Sequence, residues 1–236
     1  MGGLGEAISL RLADAGYRVA VTCSPRNQDC EGWVARMRDA GHDFDVYRVD
    51  VADFTSCAAC AKAVESDTGP IDILVNNAGI TRDATMRKMS AEDWQSVLRT
   101  DLDSVFNMTR PIFGGMVARG WGRIINISSV NGSRGAFGQA NYAAAKAGMH
   151  GFTKALALEV AKSGVTVNTV SPGYLATRMV TAVPQEVLES RILPQIPVGR
   201  LGRPDEVAAL VAFLASDDAG FITGSNLAIN GGMHME

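Results

Sequence analysis

The sequence predicts an α/β fold of three layers, built on a doubly wound parallel sheet, and three observations predict it. Short apolar runs alternate with helical stretches along the whole chain. The runs are continuous rather than alternating apolar and polar, as in strands buried on both faces. No internal repeat, low-complexity tract or linker interrupts the alternation, so 1–236 reads as one domain.

Taken in order, a glycine-rich start leads into a helix over 5–15, with Ile8 and Leu12 on its apolar face. A strand follows at 17–23 (YRVAVTC), a helix at 29–40 and a strand at 44–49. An amphipathic helix at 55–66 leads to a strand at 71–76 (IDILVN). One long helix is expected over 91–119, then a strand at 123–128 (RIINIS) and a helix over 142–162. Strands at 166–170 and 227–229 flank a helix over 204–214. The proline-rich stretch 174–204, ending in GRLGRP, fits no element. It reads as a flap on the substrate side or as a solvent-exposed connection.

Composition excludes several classes. The chain has 22 basic and 25 acidic side chains, a net charge of −3, and no basic stripe to meet nucleic acid. The longest apolar run, 207–215, has nine residues and is too short to span a bilayer. The N-terminus lacks a charged-then-apolar signal pattern. Four cysteines do not make a disulfide framework, which leaves a reducing cytoplasm as the default compartment. Cys57 and Cys60 form a C-x-x-C inside the amphipathic helix; no second pair completes a zinc set, and helix packing is the expected role. Cys23 and Cys30 stand seven apart.

The opening MGGLGEAISL carries Gly2, Gly3 and Gly5 straight into a helix. A glycine turn ahead of a helix lets backbone approach a pyrophosphate, and free N–H groups at the helix start attract its charge. Such a turn should follow a strand, the central one of the sheet. Losing about five buried apolar side chains, at about 1.5–3 kcal/mol each, would rival the whole stability of a typical domain. The expectation is therefore that Met1 is an internal methionine, preceded by about ten residues that hold the first central strand.

The sharpest constellation is Ser129, Tyr142 and Lys146. Tyr142 and Lys146 lie four apart in a helical stretch and share a face. A phenol with a pKa near ~10 is a poor catalyst at neutral pH, and a nearby ammonium favours its ionised form. Ser129 ends the strand RIINIS, at the sheet edge where ligands bind, and can donate a hydrogen bond to a carbonyl oxygen as charge builds there.

Further motifs stand in order around this set: Gly3-x-Gly5, Asp50-Val51, Asn76-Asn77-Ala78-Gly79, Ser129 thirteen residues before Tyr142, and Pro172-Gly173 after the sixth strand of the wider pattern. On these the chain resembles the classical short-chain dehydrogenase/reductase family over essentially its whole length. The resemblance implies a Rossmann-like sheet and an NADP-dependent oxidoreductase acting on CH–OH groups. Tyr142 would protonate a substrate carbonyl, Lys146 would lower the Tyr142 pKa and bind the nicotinamide ribose, and Ser129 would position the carbonyl. It further implies that Gly3, Leu4 and Gly5 form the phosphate turn and that Asp50 and Val51 meet adenine. Asn77, Ala78 and Gly79 would line the cofactor path, with Pro172, Gly173 and Thr177 at the nicotinamide end. The hydride is the cofactor's.

One position departs from the family pattern. Asp101, in TDLDSVF, stands where the family carries Asn in a fourth catalytic position. An ionised carboxylate accepts hydrogen bonds but donates none, and its charge acts on Lys146 and Tyr142. Reduced activity or a shifted pH optimum is expected, not abolition.

The second strand of the wider pattern ends Cys23-Ser24-Pro25-Arg26, without the acidic residue that grips a ribose 2′-hydroxyl. Ser24 and Arg26 suit a 2′-phosphate, which makes NADPH the expected cofactor. Within the family, GWGRIINISSVNG, NAGITRD, SPGYLATRMV and NGGMHM resemble most the branch that reduces acetoacetyl groups carried on coenzyme A in polyhydroxybutyrate and related polyhydroxyalkanoate synthesis. The product implied is an (R)-3-hydroxyacyl thioester. The close alternative is the branch that acts on 3-oxoacyl groups held by acyl carrier protein. Asn131, Phe137, Gln139 and Tyr174 are the expected acyl pocket, and Arg178, Arg191, Arg200 and Arg203 can meet carrier phosphates or be ordinary surface charges.

A non-catalytic nucleotide sensor is a third reading, which the intact Ser129–Tyr142–Lys146 set opposes. His42, His150 and His234 show no metal spacing, and His150 reads as structural. No G-x-S-x-G elbow occurs, so a serine hydrolase lacks its main signature. The family resemblance also implies a homotetramer paired through the helices at 91–119 and 142–162, with Ala147, Phe152 and Leu156 facing either a partner or the core.

Overall fold

The computed structural model describes residues 3–177, 180 and 183–235. Met1, Gly2 and Arg178, which entered the expectations above, lie outside the described residues. The order is α1 (Gly3–Asp14), β1 (Ala20–Cys23), α2 (Cys30–Asp39), β2 (Asp45–Arg48), α3 (Phe54–Thr68), β3 (Ile73–Asn76), α4 (Ala91–Leu98), α5 (Ser104–Arg119), β4 (Gly122–Ile127), α6 (Val130–Arg134), α7 (Ala140–Val160), β5 (Val165–Pro172), α8 (Pro204–Ala215) and β6 (Asn226–Ile229). The α/β alternation is the expected one, and every strand pair is parallel.

The sheet has two parts among the described residues: β1 with β2, and β3–β4–β5–β6. In the larger part, β4 and β5 are buried along their whole lengths. Their alternate side chains feed two cores. Ile125, Ile127 and Val170 meet Ile8 and Leu12 of α1 and Val207, Val211 and Leu214 of α8. Ile124, Val165 and Val167 meet Ile112 and Met116 of α5 and Leu156 and Val160 of α7. Helices on both faces of one sheet give the three layers. Leu156 thus belongs to the core with Phe152 packed against it, while Ala147 faces solvent.

A polar row crosses the larger sheet. Asn76, Asn126 and Thr169 stand opposite one another on β3, β4 and β5. Asn76 Nδ2 donates to Asn126 Oδ1 at 2.8 Å, and Asn126 Nδ2 donates to Thr153 Oγ1 of α7 at 2.9 Å. The Thr153 and Thr169 hydroxyls share a bond of 2.8 Å.

Two elements differ from expectation. The helix expected over 91–119 is interrupted by a π-helical turn, Arg99–Asp103, which inserts an extra residue and turns Asp101 inward. The stretch after Ser129, to which the sequence reading assigned no element, forms α6. It lies so close to α7 that a Cβ on Gly132 would sit 2.9 Å from the Lys146 carbonyl carbon. The stretch 174–204 leaves and rejoins the fold at one point. The Gly202 N–H donates to the Tyr174 carbonyl at 2.9 Å, and the Ala176 N–H to the Gly202 carbonyl at 2.8 Å.

No strand precedes α1 among the described residues. Val19, Val21, Ile73 and Val75 border one cleft that also runs along the ends of the strands. It continues past the carboxyl ends of the strands to the site described next.

Candidate active site

Strand ends and helix starts converge on the cleft. Gly3, Leu4 and Gly5 open α1, and a Cβ on Gly3 would sit 3.7 Å from Thr177 Cγ2, so the glycine start and the segment after β5 are close. The described part of α1 starts at Gly3, and backbone N–H groups at a helix start attract anionic oxygen. Ser24, Val51, Asn77, Ala78 and Gly79 line the same cleft, as do Pro172, Gly173 and Thr177. Of the residues expected at the cofactor, Arg26 and Asp50 do not line it. Arg26 is exposed on the loop after β1. Asp50 turns back on its own chain, its Oδ1 accepting from the Ala52 N–H at 3.1 Å.

Ser129, Tyr142 and Lys146 share the cleft wall. Ser129 caps α6, its Oγ accepting from the Asn131 N–H at 3.2 Å, and its hydroxyl lowers the Tyr142 pKa. Lys146, one turn along α7, is buried and donates from Nζ to the Ile127 carbonyl at 3.0 Å. That carbonyl ends β4, so the strand sets the height of the ammonium. Nζ lies 5.4 Å from the centre of the Tyr142 ring.

Asp101 stands behind this set, fully buried, with Oδ2 3.4 Å from Lys146 Nζ. Its Oδ1 accepts from the Ile80 N–H at 2.8 Å. Gly79 leaves the room: a Cβ there would sit 2.9 Å from Asp101 Oδ2 and 3.3 Å from Lys146 Nζ. Burial raises the Asp101 pKa above the ordinary carboxylate value, with the Lys146 charge and the Ile80 hydrogen bond pulling it back. Burial likewise lowers the Lys146 pKa against the opposing charge of Asp101.

The Tyr142 pKa is raised in this structure, and Lys146 is not among the groups that shift it. The phenol is pushed up to about 12, first by burial and then by the Asp101 charge, with the Ser129 hydrogen bond acting the other way. The ammonium is committed to Asp101 and the Ile127 carbonyl, and it lies over the ring.

On the substrate side, Asn131, Gln139 and Tyr174 line the cleft. Phe137 does not; its side chain is 94% exposed. A hydrogen-bonded chain not anticipated from the sequence holds this wall. Asn131 Nδ2 donates to Gln139 Oε1 at 2.9 Å, and Gln139 Nε2 donates to Asp83 Oδ2 at 2.9 Å. Arg134 Nε donates to Asn131 Oδ1 at 3.3 Å and its Nη2 to Gln195 Oε1 at 3.2 Å, tying the wall to the stretch 174–204. Asp83 lies 56 residues from Gln139, so no local pattern could have revealed the pair.

The remaining candidates have structural surroundings. His150 Nε2 lies 3.0 Å from Ser128 Oγ and 3.4 Å from Ser171 Oγ, joining α7 to the ends of β4 and β5. Cys57 and Cys60 are buried in α3 against Val49 and Val64. Cys23 and Cys30, which the sequence reading left unjoined, are disulfide-bonded. Among the described residues no helix is long and apolar enough to cross a membrane.

A glycine-rich helix start on a parallel sheet whose strand ends also carry a Tyr–Lys pair and a serine fits a nucleotide-dependent oxidoreductase. Comparison with known proteins narrows the class. The family model described as enoyl-(acyl carrier protein) reductase matches residues 1–234. The chain is 53% identical over 235 residues to an acetoacetyl-CoA reductase of Cupriavidus necator, covering 100% of this chain and 95% of that one. It is 54% identical over 230 residues to an acetoacetyl-CoA reductase of Shinella zoogloeoides, covering 98% and 93%. A 3-oxoacyl-(acyl-carrier-protein) reductase of Vibrio cholerae is 46% identical over 233 residues, covering 99% and 93%. The chain belongs to the short-chain dehydrogenase/reductase family, and membership implies a nicotinamide cofactor.

Proposed function

We propose that this protein is an NADPH-dependent acetoacetyl-CoA reductase, which converts a 3-ketoacyl thioester to the (R)-3-hydroxyacyl thioester. The observation that carries the reading is the convergence of Ser129, Tyr142 and Lys146 with the Gly3–Gly5 helix start on one cleft. The identity to acetoacetyl-CoA reductases over the full chain, higher than to the carrier-protein reductase, supports the choice of thioester.

In this reading Gly3, Leu4 and Gly5 hold the pyrophosphate, and Asn77, Ala78 and Gly79 border its path. Lys146 binds the nicotinamide ribose, and Thr177 meets the carboxamide. The cofactor, when bound, supplies the hydride. Ser129 donates a hydrogen bond to the substrate carbonyl, and the Tyr142 hydroxyl gives its proton to that oxygen as negative charge develops. With its pKa pushed up to about 12, the phenol carries its proton in the neutral range. Asn131, Gln139 and Tyr174 border the acyl group.

NADPH is preferred in this reading because Ser24 and Arg26 lie on the loop that follows β1. Asp29, the acidic side chain that lines the same part of the cleft, is engaged by Arg36 at 2.9 Å. The test is initial rates with acetoacetyl-CoA and with acetoacetyl-carrier protein, each offered NADPH and NADH. The expected result is the highest kcat/KM for acetoacetyl-CoA with NADPH. Equal kcat/KM for the two cofactors would overturn the cofactor choice, and faster turnover of the carrier-protein substrate would overturn the thioester choice.

Asp101 gives a pH prediction. Its charge raises the Tyr142 pKa, so Asp101→Asn lowers it. In the oxidation of the 3-hydroxyacyl thioester, Tyr142 must accept a proton. The rise of rate with pH is therefore expected at lower pH in Asp101→Asn than in the unsubstituted protein. Superimposable pH–rate profiles would show that Asp101 has no hold on the phenol.

Assembly as a homotetramer belongs to the same reading. Phe54 of α3 and Phe106 of α5 stack on the surface, and Leu158 of α7 is 86% exposed, which leaves apolar side chains for a second copy.

A further inference from the structure

The Cys23–Cys30 bond lies away from the reacting groups, at the opposite end of the cleft. Cys23 ends β1 and Cys30 is the first residue of α2. Their Cα atoms are 6.6 Å apart, within the usual span of a disulfide. A crosslink between residues only seven apart restrains little of the unfolded chain, so its effect is local.

That locality falls on residues 24–29. Ser24, Asn27 and Asp29 of this loop line the cleft. The loop is folded on itself: the Asn27 N–H donates to the Ser24 carbonyl at 2.9 Å, and the Arg26 N–H to Ser24 Oγ at 3.3 Å. From β2, Arg48 Nη1 donates to the Asn27 carbonyl at 3.2 Å and to the Pro25 carbonyl at 3.4 Å. Behind the bond, Trp33 of α2 donates from Nε1 to Glu6 Oε2 of α1 at 2.8 Å. The bond therefore closes a loop wedged between β2 and the helix that opens the cleft.

We propose that Cys23 and Cys30 form a reversible thiol–disulfide site, oxidised by a small disulfide of the glutathione class, whose bonded form fixes the loop that meets the adenosine end of the cofactor. The inference rests on the NADPH reading above. The Cys30 thiolate, at the first residue of α2, attacks one sulfur of the small disulfide. A Cys30 mixed disulfide forms and one small thiolate leaves. The Cys23 thiolate then attacks the Cys30 sulfur, the protein disulfide forms and the second small thiolate leaves. Two protein thiols lose their protons, the two departing thiolates take up two, and two electrons pass to the oxidant.

The other thiols do not compete. All four cysteines are buried, but Cys57 and Cys60 stay unbonded in α3, with burial pushing the Cys57 thiol up to about 12 and the Cys60 thiol in the same direction. A fixed loop binds its ligand without first being ordered, so the bonded form should bind NADPH about threefold to tenfold more tightly.

The test uses the full chain, treated with oxidised glutathione or with dithiothreitol, and the Cys30→Ser variant handled identically. Differential alkylation and peptide mapping should show Cys23 joined to Cys30 after oxidation, with Cys57 and Cys60 unlinked. NADPH and NADH affinities are read by fluorescence. Tighter NADPH binding by the oxidised protein, absent in Cys30→Ser, with kcat at saturating NADPH equal in both states, supports the proposal. Failure of the 23–30 link to form, or a redox response that persists in Cys30→Ser, overturns it. Equal NADPH affinity in both states, or weaker binding by the oxidised form, overturns this inference and leaves the cofactor reading standing. Binding of neither nucleotide by either form overturns both.

Discussion

Replacing Tyr142 with phenylalanine lowers kcat for acetoacetyl-CoA reduction by about 10²–10⁴-fold, the range expected when a positioned general acid is lost. The change removes one oxygen and leaves the ring that lies against Lys146. The ammonium keeps its bonds to the Ile127 carbonyl and to Asp101, so nucleotide affinity should change by no more than about twofold. Steady-state rates together with a fluorescence measurement of NADPH binding separate the two effects. A Tyr142→Phe protein that retained most of its rate would remove the phenol from the chemistry and defeat the reductase reading.

The second large effect is on stability as well as rate. Lys146→Met leaves the Asp101 carboxylate buried with only the Ile80 N–H as its polar neighbour. Breaking a buried pair from one side costs about 3–5 kcal/mol, which for a chain of this size lowers Tm by about 6–20 °C. The activity is lost too, because the ribose loses its partner. The double variant Lys146→Met with Asp101→Asn distinguishes the causes. It should regain most of the lost Tm, since no charge is left stranded, and none of the rate. A single variant that melts with the unsubstituted protein would show that the pair contributes nothing to holding the fold.

Much of this was legible from the sequence because the chemistry follows short spacings. Tyr142 and Lys146 are one helical turn apart, and Ser129 ends an apolar strand, so pattern alone brings them to one edge of the sheet. The strand positions were legible because the apolar runs of β4 and β5 mark strands buried on both sides, a layer covered twice. What was not legible depends on distance along the chain or on backbone geometry. The π-helical turn at Arg99–Asp103 changes no composition, so the stretch read as one unbroken helix. The Lys146 anchor is a backbone carbonyl, which no side chain advertises. Phe137 was placed in the acyl pocket by proximity in sequence, yet the turn between α6 and α7 carries it to the surface. The pairing of Cys23 with Cys30 needs β1 and α2 to meet at their ends, and spacing by itself does not reveal that.

The row Asn76–Asn126–Thr169, joined to Thr153, acts as a vernier for α7, which carries Tyr142 and Lys146. Sliding β3 or β5 along β4 by a single residue would strand amides and hydroxyls in a dry interior, where each orphan costs about 1–3 kcal/mol. Apolar neighbours tolerate small slips; this row does not. Through Thr153 the row also ties α7 to β4 and β5.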